Sequence, residues 1–134
     1  MAATMQVDLV SPDKLLASLE AEKVLLPGSD GDFTAMPGHV PVVTSLSPGA
    51  IRIFNGSEES EYLIAGGFAE VSESGISILA EFAALREDAT VEMFQSSLDA
   101  SEKALDGLEK DALAEATRRH GNLKTMVETL GRAA

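Results

Sequence analysis

His39 and His120 are the two imidazoles of this chain, and there is no cysteine. Acid–base or nucleophilic catalysis needs a base within reach of a nucleophile and a third group to orient it. Serine and threonine are common here, but none sits in a Gly-x-Ser-x-Gly elbow. Asp30-Gly31-Asp32 begins like a cation-binding loop, yet the remaining ligands at that spacing are missing. Gly66-Gly67 is not followed by the Gly-Lys-Ser/Thr of a phosphate loop. In a strand such a pair marks a bulge or a close backbone contact. Arg118, Arg119 and Lys124 form the one basic cluster. These residues offer recognition rather than bond-making, so no catalytic set, metal or cofactor is expected.

The elements that must hold them fall into two kinds. All five prolines lie within the first 48 residues, and eight of the eleven glycines within the first 75. Between these punctuators lie short runs with strand character: Met5–Val10, Val24–Leu26, Val40–Leu46, Ala50–Phe54, Tyr62–Ile64, Phe68–Val71 and Ile76–Leu79. Ile51 and Ile53 alternate with Arg52 and Phe54, and Ile76 and Ile78 with Ser77 and Leu79. Short, regularly spaced strands of this sort read as an antiparallel sandwich or barrel. Asn55-Gly56 suits a type I′ hairpin turn, because both residues tolerate positive φ. Ser74-Gly75 is a weaker turn signal.

From Ala89 onward there is no proline, and Ala, Leu, Glu and Lys dominate. Asp88 or Thr90 can cap a helix start by accepting an orphan N–H. Val91, Phe94, Leu98, Leu105 and Leu108 recur at helical spacing, as do Leu113, Ala116, His120, Leu123, Val127 and Leu130. Asp106-Gly107 can reverse the chain between the two sets. The reading is an α+β protein: a β-sandwich over 1–87, then an α-helical hairpin over 88–134, with helices near Thr90–Leu105 and Leu108–Leu130. Gly121 costs about 1 kcal/mol inside the second helix, which is expected to bend or fray there.

Charge narrows the class of partner. The net charge of −12 argues against nucleic acid, which Lys/Arg clusters bind. Most of the acids fall in residues 1–93, and the tail is nearly balanced. Lys103 and Lys110 stand beside Glu102, Glu109 and Asp111, where pairs screen one another. No apolar run approaches the roughly 20 residues of a membrane span. No basic flank and apolar run open the chain, so no secretory signal is expected. Membrane contact, if the protein has any, comes through other proteins.

Two blocks carry a specific likeness. The first is Gly31-Asp32-Phe33-Thr34-Ala35-Met36-Pro37-Gly38-His39-Val40-Pro41, running on to Leu46-Ser47-Pro48-Gly49-Ala50-Ile51. The second is Ala65-Gly66-Gly67-Phe68-Ala69-Glu70-Val71. With the opening Val7-Asp8-Leu9-Val10-Ser11-Pro12, they resemble the signature of the epsilon subunit of bacterial F-type ATP synthase. The resemblance covers residues 5–85 well and the tail only in type and length.

That resemblance implies a non-catalytic central-stalk (rotor) subunit that couples the catalytic head to the membrane c-ring in proton-driven ATP synthesis. It places the chain peripherally at the cytoplasmic face of the bacterial inner membrane. It assigns His39, Val40, Pro41, Val42 and Val43 to a face that meets the gamma subunit. Asp30, Gly31 and Asp32 are assigned to a loop that meets the c-ring, where a carboxylate can accept charge-assisted hydrogen bonds. Arg118, Arg119 and Lys124 are assigned to contact between an extended tail and the beta or alpha subunits of the head.

In some relatives ATP is held through a motif like (Ile/Leu)-Asp-x-x-Arg-Ala. Here the matching stretch, Ala89-Thr90-Val91-Glu92-Met93-Phe94-Gln95, lacks both Asp and Arg. Weak or absent ATP binding is therefore expected, with modest inhibition of hydrolysis by the hairpin.

The residues alone leave other readings open. Asp32 is equally a solvated turn acid, His39 a satisfied turn residue, and His120 the rim of a packed interface or a pH-sensitive group. The competing reading of the whole is a free-standing β-sandwich binding module with a helical oligomerisation arm.

Overall fold

A computed structural model describes residues 3–133. Ten strands form two five-stranded sheets. One has the order β2-β1-β9-β8-β5: β1 Met5–Val10, β2 Leu15–Ala21, β5 Val42–Leu46, β8 Gly67–Val71 and β9 Gly75–Ala80. The other has the order β10-β7-β6-β3-β4: β3 Lys23–Leu26, β4 Phe33–Ala35, β6 Gly49–Asn55, β7 Glu58–Ile64 and β10 Ala83–Leu85. Every pairing between named strands is antiparallel except β1 with β9, which runs parallel from Gln6↔Gly75 to Val10↔Leu79. A parallel pair needs a long crossover connection, and the segment between β1 and β9 supplies it.

The alternating strands bury their apolar sets between the sheets. Val7 and Leu9, Ile51 and Ile53, Ala69 and Val71, and Ile76 and Ile78 all enter this core. Each fully buried aliphatic side chain stabilises by about 1.5–3 kcal/mol. β7 is apolar on both faces at its end: Ile64 points into the sandwich, while Leu63 faces the helices. That second burial makes a third layer necessary.

Three strands were not legible as such. Leu15–Ala21 is rich in Leu, Ala and Glu, good helix formers, yet it pairs with β1 along its length. Tertiary pairing overrides propensity there. β4 and β10 are three residues each, too short to show a period. β5 begins at Val42 rather than Val40, where pairing with β8 starts at Val42↔Val71.

The β6–β7 turn differs from expectation by one residue. Asn55 pairs with Glu58, so the central residues are Gly56 and Ser57. Gly56 has φ +64, and neither Asn55 nor Ser57 has positive φ. Positive φ at the first central position alone belongs to type II′, not I′. Gly66-Gly67 is the close backbone contact anticipated. A Cβ on Gly67 would run into the Leu79 carbonyl oxygen across the β8–β9 ladder. Gly67→Ala is expected to destabilise by about 1–3 kcal/mol in urea unfolding.

After the sandwich, Thr90 accepts the Met93 N–H through both its carbonyl (3.2 Å) and its hydroxyl (3.3 Å). A 3-10 turn, Glu92–Phe94, follows, then α1 Gln95–Lys103. α1 is shorter than expected because the tight turn takes its start and residues 104–107 curl away at its end, with Gly107 at φ +80. α2 runs unbroken over Lys110–Ala133, through Gly121. Gly121 is exposed with open space around it, so no packing demand interrupts the helix there.

Both helices lie on the outer face of the β10-β7-β6-β3-β4 sheet. Phe94 is fully buried and meets Phe82 edge-on at 5.1 Å. Leu123, Val127 and Leu130 join it against Leu63 and Ala65. Toward the hairpin tip packing thins, and Leu113 is exposed.

Candidate partner-binding surfaces

β5 is the last strand of its sheet. At its Leu46 end the free edge is covered: Gly28 bridges to Leu46, and Ser29 N donates to Ser45 O at 3.0 Å. At the other end no named strand lies beyond Val42 and Val43. Val40 and Val43 are 73% and 71% exposed, with Val42 less so. Pro41, also exposed, leads into this edge and offers no donor. His39 is half-buried. Its Nδ1 lies 2.6 Å from Val40 O, and its ring centroid 6.4 Å from that of Phe33. A carbonyl only accepts, so Nδ1 carries the proton in that bond. Gly38 N donates to Glu73 O at 2.9 Å, fixing the turn to the β8–β9 loop.

The strand register extends this edge into a surface the sequence reading missed. Ser45, Phe68, Leu79, Val10 and Leu15 lie in one row across five strands. They point to solvent, and Phe68 is 54% exposed. The neighbouring row is Val43, Glu70, Ser77, Asp8 and Ser18. An apolar row rimmed by polar groups marks an interaction surface. Its signal was present: Leu79 and Phe68 fall on the faces opposite Ile76, Ile78, Ala69 and Val71. Within the polar row, hydrogen bonds from Ser18 and then Gln6 hold the Asp8 carboxyl below the usual carboxylate range.

Asp30, Gly31 and Asp32 are exposed at the tip of the β3–β4 loop. The turn is closed by Gly31 N donating to Gly28 O at 3.0 Å, with Gly31 at φ +134. Its base is tied to β5 by the Ser45 hydroxyl, which donates to the Ser29 hydroxyl at 2.7 Å. The loop and the β5 edge are thus joined.

The basic cluster does not stand free. Arg118 donates to both Glu115 oxygens at 2.7 and 2.8 Å and, across the chain, to Ser29 O at 2.7 Å. Arg119 reaches Glu81 at 3.4 Å, and Lys124 is exposed. Screening therefore falls on the arginines. The ion pairs among the described residues do not include Lys103 or Lys110, which sit where one helix ends and the other begins. The Arg118 hydrogen bond holds the Glu115 carboxyl below its ordinary range, and Glu115 in turn raises Arg118. With its folded value lowered, Glu115 contributes fully above its unfolded value and loses that contribution as pH falls through the folded one. His120 takes its packed-interface role: Nδ1 lies 2.6 Å from Ser101 Oγ, bridging α2 to α1.

A family model described as "ATP synthase, Delta/Epsilon chain, beta-sandwich domain" matches residues 4–86. An ATP synthase epsilon chain from Jannaschia sp. is 39% identical over 128 residues, 96% of this chain and 97% of that one. The chain belongs to the ATP synthase epsilon chain family. It is a subunit of F-type ATP synthase. The epsilon chain of Fuscovulum blasticum is 44% identical over 87% of this chain and 90% of its own. That of Paramagnetospirillum magneticum is 40% identical over 99% and 98%. The fold is shared with chains in cryo-EM structures of Euglena gracilis and Tetrahymena thermophila mitochondrial ATP synthases. The first has TM-score 0.68 at 18% identity, covering 96% of this chain and 82% of that one. The second has TM-score 0.62 at 17% identity, covering 98% and 97%. Among the described residues of this epsilon chain, no helix is long and apolar enough to cross a membrane.

Proposed function

We propose that this epsilon chain is a non-catalytic rotor adaptor that clamps gamma and seats on the c-ring. The Tetrahymena relative comes from a structure of a central stalk and c-ring, and the Euglena one from a structure of OSCP, F1 and c-ring, which supports that placement. The gamma face is the β5 edge with His39, Val40, Pro41, Val42 and Val43, continued by Phe68 and Leu79. The c-ring loop is Asp30, Gly31 and Asp32. The carrying observation is that both surfaces belong to one stiff unit, tied together at Ser29 and Ser45. A torque adaptor requires that stiffness.

The sandwich, 1–87, forms the coupling domain, and the hairpin, 88–134, the regulatory one. The chain works peripherally at the cytoplasmic face of the bacterial inner membrane. In an extended hairpin, Arg118, Arg119 and Lys124 meet the beta and alpha subunits. ATP binding is weak or absent, since no Asp or Arg stands in the 89–95 stretch, and no cofactor takes part.

Mixing with gamma followed by size-exclusion chromatography tests this reading. A stoichiometric complex formed from a monomeric chain is expected. A stable homo-oligomer that ignores gamma would favour a free-standing binding module. Truncation after Ala89 is expected to raise ATP hydrolysis by the assembled enzyme only about two- to threefold, because internal pairs screen the tail's arginines. A many-fold rise would show a strong brake.

A further inference from the structure

Ser29 is bonded in three directions. Its N–H donates to Ser45 O, its hydroxyl accepts from Ser45 Oγ at 2.7 Å, and its carbonyl accepts from Arg118 Nη1 at 2.7 Å. Ser45 lies on β5 and Arg118 on α2, while Asp30 and Asp32 follow directly in the loop. One residue therefore joins the exposed edge strand, the acidic loop tip and the folded hairpin. Arg118 Nη2 donates to both Glu115 oxygens, which holds the guanidinium so that Nη1 reaches Ser29. The Asp30 carboxylate adds a favourable field at that guanidinium.

We infer that the 29–32 loop is a latch for the hairpin, and that a cationic protein surface seating on Asp30 and Asp32 loosens it. Arg118 is held by the carbonyl of Ser29, and Asp30 is the next residue in the chain. A partner Lys or Arg on Asp30 cancels that field and adds like charge close to Arg118. The hairpin then opens more readily. Coupling of this kind is reciprocal: a released hairpin leaves the loop to the partner, whose affinity rises by the same factor. Arg118, once free, becomes available for the head contact. The inference rests on the loop being a partner contact, but the latch can be tested without the partner.

The test is native-state amide hydrogen exchange on the full chain, reading α2 between Asn122 and Thr129 against β6 and β9. Asp30→Lys mimics the seated cation, and Arg118→Gln removes the latch. Each is expected to speed α2 exchange by about three- to tenfold with the strands unchanged. Asp13→Lys, an equal charge change in the β1–β2 turn, is expected to do nothing. In the Arg118→Gln background, Asp30→Lys is expected to add little. Equal effects of Asp30→Lys and Asp13→Lys would overturn the proposal, as would an undiminished Asp30→Lys effect without Arg118. Loss of c-ring contact with the exchange coupling intact would remove the partner reading and leave the latch standing.

Discussion

Val43→Asp combined with Phe68→Asp is expected to weaken binding to gamma by at least about 100-fold. Both side chains are largely exposed in the isolated chain, so surface substitution there changes stability by about 0.5 kcal/mol or less. For the two together the melting temperature should stay within about 4 °C. On the proposed gamma face the complex covers the same positions. Interfaces concentrate their energy in a few central apolar and aromatic anchors, and truncating one costs upwards of about 2 kcal/mol. A carboxylate forced into that contact without a partner costs more, because it loses its water and gains nothing. Titration calorimetry with purified gamma reads the effect. Ser57→Asp, in the β6–β7 turn, is the matched control and should bind as the unaltered chain does. A double variant that binds gamma normally would place the interface elsewhere.

Phe94→Ala is expected to undock the hairpin while sparing the sandwich. Phe94 is fully buried and sits edge-on to Phe82, amid Leu63, Leu123, Val127 and Leu130. Removing a ring from such a site costs about 3–5 kcal/mol, since the lost contacts leave a cavity that neighbours fill only in part. The sandwich core is a separate cluster built on Ile51, Ile53, Ile76 and Ile78. The cost therefore falls on docking of the helices. Amide exchange along α2 should accelerate by roughly 100-fold or more, with β6 and β9 still protected. Loss of protection in all elements at once would mean that the two clusters unfold as one unit.

The sequence carried a good deal of this, unevenly. β6 and β9 were legible because Ile51 and Ile53, and Ile76 and Ile78, recur at a period of two, and both helices because their apolar stripes recur at three and four. β2 was hidden by its composition: Leu-Leu-Ala-Ser-Leu-Glu-Ala favours a helix, and only pairing with β1 makes it a strand. The β5 edge was legible as a proline-guarded apolar run. The row through Phe68, Leu79 and Leu15 was legible only in part: Phe68 and Leu79 each stand opposite the buried face of their own strand, but the residues meet as a row only once register is known. The bond from Arg118 to Ser29 spans 89 residues, and no local pattern could announce it.

Proton-driven ATP synthesis by vesicles holding the otherwise complete enzyme, assembled with and without this chain, tests the adaptor most directly. The account predicts that synthesis fails without it, returns with the unaltered chain, and does not return with the Val43→Asp, Phe68→Asp variant. Full synthesis in its absence, or equal rescue by that variant, would contradict the account.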